Sequence, residues 1–160
     1  MDASQSKRPA ALITLAFCLL LLALGGFAGA YGMLMDPSGA GMGLPLSLLE
    51  NTPVSDYLLP GLFLLVVFGI APLATVYGLW TLPDWPRLQA LNPARRAHWA
   101  WRAAVALGII LILWIALEFL LWGYIFVLQP IFGVLGVVIL ALCYTPAVQA
   151  YAAMRNLTGI

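Results

Sequence analysis

Glu118 is the one acidic side chain set deep within an apolar stretch of this sequence, four residues after Trp114 and four before Trp122. At that spacing the three residues share one face of a helix. A carboxylate in hydrocarbon is costly and by default marks a binding, proton or ion function. Its possible partners are few, because no Lys, Arg or His occurs between Pro9 and Pro86 or between Ala103 and Met154. Four states are therefore open to it. The carboxyl group can reach out to water. It can stay protonated and bond Tyr31, Tyr124, Gln129 or a backbone carbonyl. It can hold a cation or proton in transit, or meet a basic residue on another subunit. Glu118, Trp114, Trp122 and Gln129 are accordingly the candidate partner- or ion-binding group.

The other reactive residue types form weaker constellations. Cys18 and Cys143 fall at similar depths but in no Cys-x-x-Cys pair, so they read as small buried side chains. His98 is the only histidine and cannot supply paired haem ligands; it is expected at a membrane edge near Arg102. Asp36, Glu50 and Asp56 are separated by Gly and Pro in a pattern unlike the fixed oxygen spacing of a calcium loop. Gly39, Gly41 and Gly43 lack the preceding strand and following Lys of a phosphate loop, and are expected to give that segment flexibility. No nucleophile–base pair, metal-ligand set or cofactor motif is present, so no catalytic residue, metal or cofactor is assigned and an enzyme is not expected.

The elements that carry these residues follow from composition. Of 160 residues 64% are apolar and 8% charged, with 7 basic and 6 acidic side chains. A soluble domain has about 25% charged residues, and a nucleic-acid binder needs a basic face. Both are excluded, as is a disulfide scaffold with only 2 cysteines. Four apolar stretches reach the roughly 20 residues needed to cross a bilayer as helices. They lie at about 10–34, 58–80, 97–122 and 130–152 within a single membrane domain covering 1–160, joined by an outer loop at 35–57 and an inner loop at 81–96. Lys7-Arg8, an apolar run and Ala28-Gly29-Ala30 resemble a cleavable leader. The run continues to Leu34, however, which favours a retained span. The fold class expected is all-α, a four-helix transmembrane bundle.

Charge sets its expected orientation. Lys7, Arg8, Arg87, Arg95, Arg96, Arg102 and Arg155 fall on one side of four spans, and Asp36, Glu50 and Asp56 on the other. The positive-inside rule puts both termini in the cytoplasm. In the outer loop, Asp36-Pro37-Ser38-Gly39 is a turn signature, Pro45–Glu50 suits one interfacial turn, and Thr52-Pro53 suits a cap and first helical residue. The segment reads as a hood over the helix ends. On the inner side Asn92-Pro93 suits a helix start, and Arg95, Trp99 and Arg102 share a face. With Arg87 and Arg96 these are lipid-headgroup candidates, or simply the topology signal with its aromatic anchors.

Pro130 suits a first helical position, while Pro72 and Pro146 are expected to kink the second and fourth spans, with the Thr145 hydroxyl compensating a freed backbone group. Small residues mark where helices meet, since lipid tails are as apolar as Leu and close backbone approach drives assembly. Gly25 and Gly29 form a GxxxG pair; Gly69, Gly133 and Gly136 are the matching packing candidates.

The stretch Asp36-Pro37-Ser38-Gly39-Ala40-Gly41-Met42-Gly43-Leu44-Pro45-Leu46, then Thr52-Pro53 and Asp56-Tyr57-Leu58-Leu59-Pro60-Gly61-Leu62-Phe63, with Leu128-Gln129-Pro130, resembles small uncharacterised bacterial four-helix membrane proteins. The resemblance implies a multi-pass protein of the bacterial inner membrane and carries no activity or catalytic residues. The function expected from the sequence is a non-enzymatic accessory or assembly subunit of a membrane complex, whose partners are membrane lipids and other membrane subunits. A small proton- or cation-coupled transporter centred on Glu118 and an anionic-lipid-binding protein are the alternatives.

Overall fold

The computed structural model describes residues 8–83 and 98–153. Lys7, Arg87, Asn92, Pro93, Arg95, Arg96 and Arg155 lie outside them. Helix α1 runs over Ala10–Met35, α2 over Leu58–Thr81, α3 over Trp99–Trp122, α4 over Leu128–Cys143 and α5 over Pro146–Ala153. The first three are each long and apolar enough to cross a membrane. Every described element is helix, turn or loop.

The expected fourth span is a broken one. Instead of a kink at Pro146, the helix stops at Cys143 and restarts at Pro146 with a 60° bend. Proline lacks an N–H and disfavours the helical conformation of the residue before it, so the chain turns at Tyr144–Thr145. The freed groups are bonded: Thr145 Oγ1 donates to the Leu142 carbonyl (2.7 Å), the Trp101 indole to that of Cys143 (2.8 Å), and Gln149 Nε2 to that of Tyr144 (3.3 Å). The sixteen residues of α4 rise about 24 Å, and the bent α5 adds about 6 Å in the same direction, which together match a hydrocarbon slab. The His98 N–H donates to the Ala152 carbonyl (3.1 Å), so the bent pair leaves one end of α3 and returns to the other.

Each helix packs on the one before it, and α4 closes back on α1. On α1 the buried positions Leu12, Leu15, Leu19, Leu22, Gly26 and Ala30 recur at three- and four-residue steps. The opposite face, with Phe17, Leu24 and Tyr31 exposed, is equally apolar, as a membrane helix requires. Leu79, Leu107, Leu111, Ile139 and Val148 complete the core.

Helix α2 contains a π turn over Leu64–Ile70, in which the Ala71 N–H reaches back five residues to the Val66 carbonyl. Pro72 explains it. Its ring would press on the Phe68 carbonyl four residues earlier, and the wider turn relieves that clash without breaking the helix. The backbone of Phe68–Gly69 lies directly against Gly26, where any Cβ would overlap it.

The glycines sit as follows. Gly25 faces the Phe132 ring, Gly29 faces Leu64, Gly69 faces Phe27, Gly133 faces Ile115, and Gly136 faces Ile112 and the Gly108 carbonyl. The closest backbone approach of α1 to α2 is thus at Gly26, beside the Gly25/Gly29 pair and not within it.

Candidate functional site

Two ends of the bundle differ in chemistry. At one, the chain between α1 and α2 forms a compact hood. Two short 3-10 turns, Ala40–Met42 and Leu46–Leu49, pack with Tyr57 into a small core of Leu44, Leu49 and Tyr57, flanked by Met33, Leu48, Val54 and Trp122. Gly39 and Gly43 are not flexible here: both hold the left-handed region, at φ 76° and 69°. Gly39 also presses against the Tyr57 ring and the Leu44 carbonyl, leaving no room for a side chain.

Thr52-Pro53 starts no helix. The Thr52 hydroxyl turns back to the Leu49 carbonyl (2.9 Å), and α2 begins at Leu58, whose N–H donates to Asp56 Oδ1 (3.0 Å). Tyr57 ties both halves of the hood, its N–H to the Pro37 carbonyl (2.9 Å) and its hydroxyl to that of Pro45 (3.1 Å). Burial pushes the Tyr57 phenol up from its ordinary pKa. Asp36 accepts from the Ser38 hydroxyl and from the Gly41 N–H (2.8 Å). Those bonds, that to the Ser38 hydroxyl first, hold the Asp36 carboxyl below the usual range. The three loop acids therefore do separate jobs: Asp36 closes its own turn, Asp56 caps α2, and Glu50 is exposed. Among the described residues no three ligand-type side chains converge.

Beneath the hood lies Glu118, half-buried on α3. The polar side chains nearest its carboxyl group in the fold are the Trp114 indole and the Gln129 amide. Trp122 is not part of this group. It points into the hood instead, donating from Nε1 to the Leu48 carbonyl (2.6 Å) and pinning the loop to α3. Glu118 lies one turn nearer the helix N-terminus than Trp122, below the hood core into which Trp122 packs.

Gln129 is the organiser of the site. Its side chain is buried, Oε1 accepts from the N–H groups of Ile125 (2.9 Å) and Phe126 (3.2 Å), and Nε2 donates to the Gly123 carbonyl (3.3 Å). One amide thus closes the whole α3–α4 turn. Helix α4 starts two residues earlier than Pro130, which takes the third helical position, where its missing N–H is also unneeded. Tyr31 and Tyr124 stand on the surface, 68% and 66% exposed. Below Glu118 the Trp114 ring stacks on Phe63 (centroids 4.6 Å), with Phe68 edge-on to Phe63 at 5.4 Å.

The opposite end is joined through rings and backbone. The Arg8 guanidinium lies over the Trp80 ring, 4.1 Å from its centroid, and donates to the Trp80 carbonyl (3.4 Å). His98 is buried and not at a headgroup edge. Its Nδ1 accepts from the Ala100 N–H (3.3 Å), capping α3, and its Nε2 lies 3.1 Å from the Pro83 carbonyl. That pairing selects the tautomer with the proton on Nε2. Trp99, expected among the headgroup candidates, packs inward on Gly78 and sends Nε1 to the same Pro83 carbonyl (3.4 Å). Arg102 is half-buried one turn along α3. Cys18 and Cys143 are free thiols buried in the main core.

The capping role of His98 left no trace in the sequence, because an imidazole acceptor at a helix start follows no common motif. The Gln129 role was partly visible as the lone amide in a short hairpin. Comparison with protein-family models, with curated proteins and with solved structures gives no match.

Proposed function

We propose that this chain is an accessory or assembly subunit of a membrane complex in a bacterial cytoplasmic membrane, with its hood on the outer face and both termini in the cytoplasm. The observation that carries this reading is the filled interior of the bundle. From the Glu118 turn to the arginine end the centre is packed with Leu111, Leu107, Ile139, Leu19 and Leu12. Among the described residues Thr75 is the buried polar side chain in that stretch, and its hydroxyl is bonded to the Ala71 carbonyl (2.8 Å). A carrier would need a wettable route between the two ends, and close-packed apolar side chains oppose one. Apolar outer faces with aromatic residues near both ends, Tyr31 and Tyr124 at one and Tyr77 and Trp80 at the other, suit a rigid component held at fixed depth.

Mild-detergent extraction from the native membrane followed by native electrophoresis tests the proposal. The expected result is a species well above the 17.2 kDa chain with its detergent belt, containing at least one further polypeptide in fixed ratio. Migration as a lone monomer at all detergent concentrations would overturn it.

A further inference from the structure

Two connections lie at the hood end, and they differ in what they expose. The hood exposes Ser38, Glu50, Asn51 and Ser55. The α3–α4 turn exposes Tyr124, Phe126, Val127 and Leu128, at 66%, 42%, 62% and 56%, and Ile131 extends the surface at 54%. Glu118 is the one charged side chain between residues 103 and 154. Standing in water, such a turn would leave a contiguous apolar patch uncovered. Its backbone is equally independent of water. The buried Gln129 side chain takes the N–H groups of Ile125 and Phe126 and donates to the Gly123 carbonyl. The Gly123 N–H donates to the Phe119 carbonyl, and the Gln129 N–H to that of Phe126. Irregular backbone beside hydrocarbon is tolerated where its polar groups are satisfied from within, and one amide folded into an apolar turn does that here.

We infer that the α3–α4 turn is a lipid-docking surface, seated at the acyl-chain boundary of the hood-side leaflet, with Phe126, Val127, Leu128 and Ile131 against phospholipid and the Tyr124 ring at headgroup level. Helix length agrees. The stretch of α3 from Ala103 to Trp122 rises about 30 Å, so Arg102 at one boundary of the hydrocarbon slab brings the turn to the other. The occupant is lipid because of what the turn lacks. A protein interface carries a polar rim and about one hydrogen bond per 100–200 Å², whereas of the five exposed side chains here only that of Tyr124 is polar. A phenol at the edge of an apolar patch is the arrangement of aromatic residues at a membrane interface. Gln129 acts as the seal, since its amide removes the need of the turn for water.

The test uses the full chain, purified and reconstituted in phosphatidylcholine vesicles, with a nitroxide spin label on Val127→Cys. Asn51→Cys, exposed in the hood, is the water reference, and Leu113→Cys, 63% exposed in mid-α3, is the acyl-chain reference. The native thiols are buried, and wild type carried through the same labelling supplies the blank. Collision with oxygen, which concentrates among acyl chains, is compared with collision with a neutral nickel chelate, which stays in water. The oxygen-to-nickel ratio at Val127→Cys is expected to be severalfold above that at Asn51→Cys and to approach that at Leu113→Cys. A ratio equal to that at Asn51→Cys places the turn in water and overturns the proposal. Low collision with both reagents means that protein covers the turn, and overturns it as well. Adding Gln129→Leu to Val127→Cys is expected to lower the ratio severalfold as water enters to meet the freed backbone groups; an unchanged ratio overturns the role given to Gln129. The labelled sites are exposed, so the main comparison does not depend on a core variant folding. It is made on the purified chain, so its outcome is independent of whether the protein is a subunit of a complex.

Discussion

The hood end and the arginine end both join α1, α2 and α3, but by different means. The hood is a loop of its own, with a core of three buried side chains and a set of hydrogen bonds running from Asp36, Tyr57 and Trp122 to nearby backbone. The arginine end belongs to the main core, since Trp99, Val148 and Tyr151 pack in the same cluster as Leu12 and Leu79. A loop stabilised by its own polar bonds can loosen while the bundle stays folded, whereas a helix end whose rings are part of the core cannot. The difference places adaptability on the side where Glu118 lies.

The largest expected effect breaks the arginine end. A side chain on Gly78 would run into the Trp99 ring and the Ala100 Cβ, so Gly78→Leu forces α2 and α3 apart. Overpacking of this kind costs about 3 kcal/mol, and the thermal midpoint of the whole bundle is expected to fall in a detergent melt. An unchanged midpoint would show that the two ends are equally separable.

A smaller and local effect is expected from Trp122→Phe. The variant removes the bond to the Leu48 carbonyl, worth about 1 kcal/mol. Proteolytic cleavage within residues 36–57 should accelerate severalfold with the bundle midpoint little changed. If cleavage and midpoint shift together, the hood is part of the core after all.

The mildest perturbation is pH. The folded-state pKa of Asp36 is depressed, so its contribution is in place above the ordinary aspartate range and is lost as pH falls through the lowered value. That of Tyr57 is raised, so its contribution is in place below the ordinary tyrosine range and is lost as pH rises through the raised value. Trp122 fluorescence, read as the difference between wild type and Trp122→Phe, is expected to report hood loosening at both extremes. Asp36→Asn should abolish the acid transition alone. A single transition shared with global unfolding would remove the distinction between the ends.

Much of this was legible before any fold was known. The limits of α1 and α3 agree with the apolar runs to within two residues, because a span must fill the hydrocarbon thickness whatever its neighbours. The GxxxG spacing points to Gly25 and Gly29 and not to Gly26, since a one-residue choice on a helix face depends on where the partner's backbone comes closest. The π turn at Leu64–Ile70 was equally hidden: Pro72 predicts a disturbance, and only the packing of α1 against it decides whether the helix bends, breaks or widens.

The sequence by itself determined that the helices are apolar enough to cross a membrane and how long they are, because both follow from the cost of placing single residues in hydrocarbon. It also singled out Glu118. The tertiary structure decided who meets whom: Gln129 closes the α3–α4 turn beside Glu118, Trp122 goes to the hood 74 residues away, and the helix expected to kink at Pro146 breaks at Tyr144–Thr145. The Trp122 contact depends on a distance between residues far apart in sequence, and spacing along one chain carries no information about it.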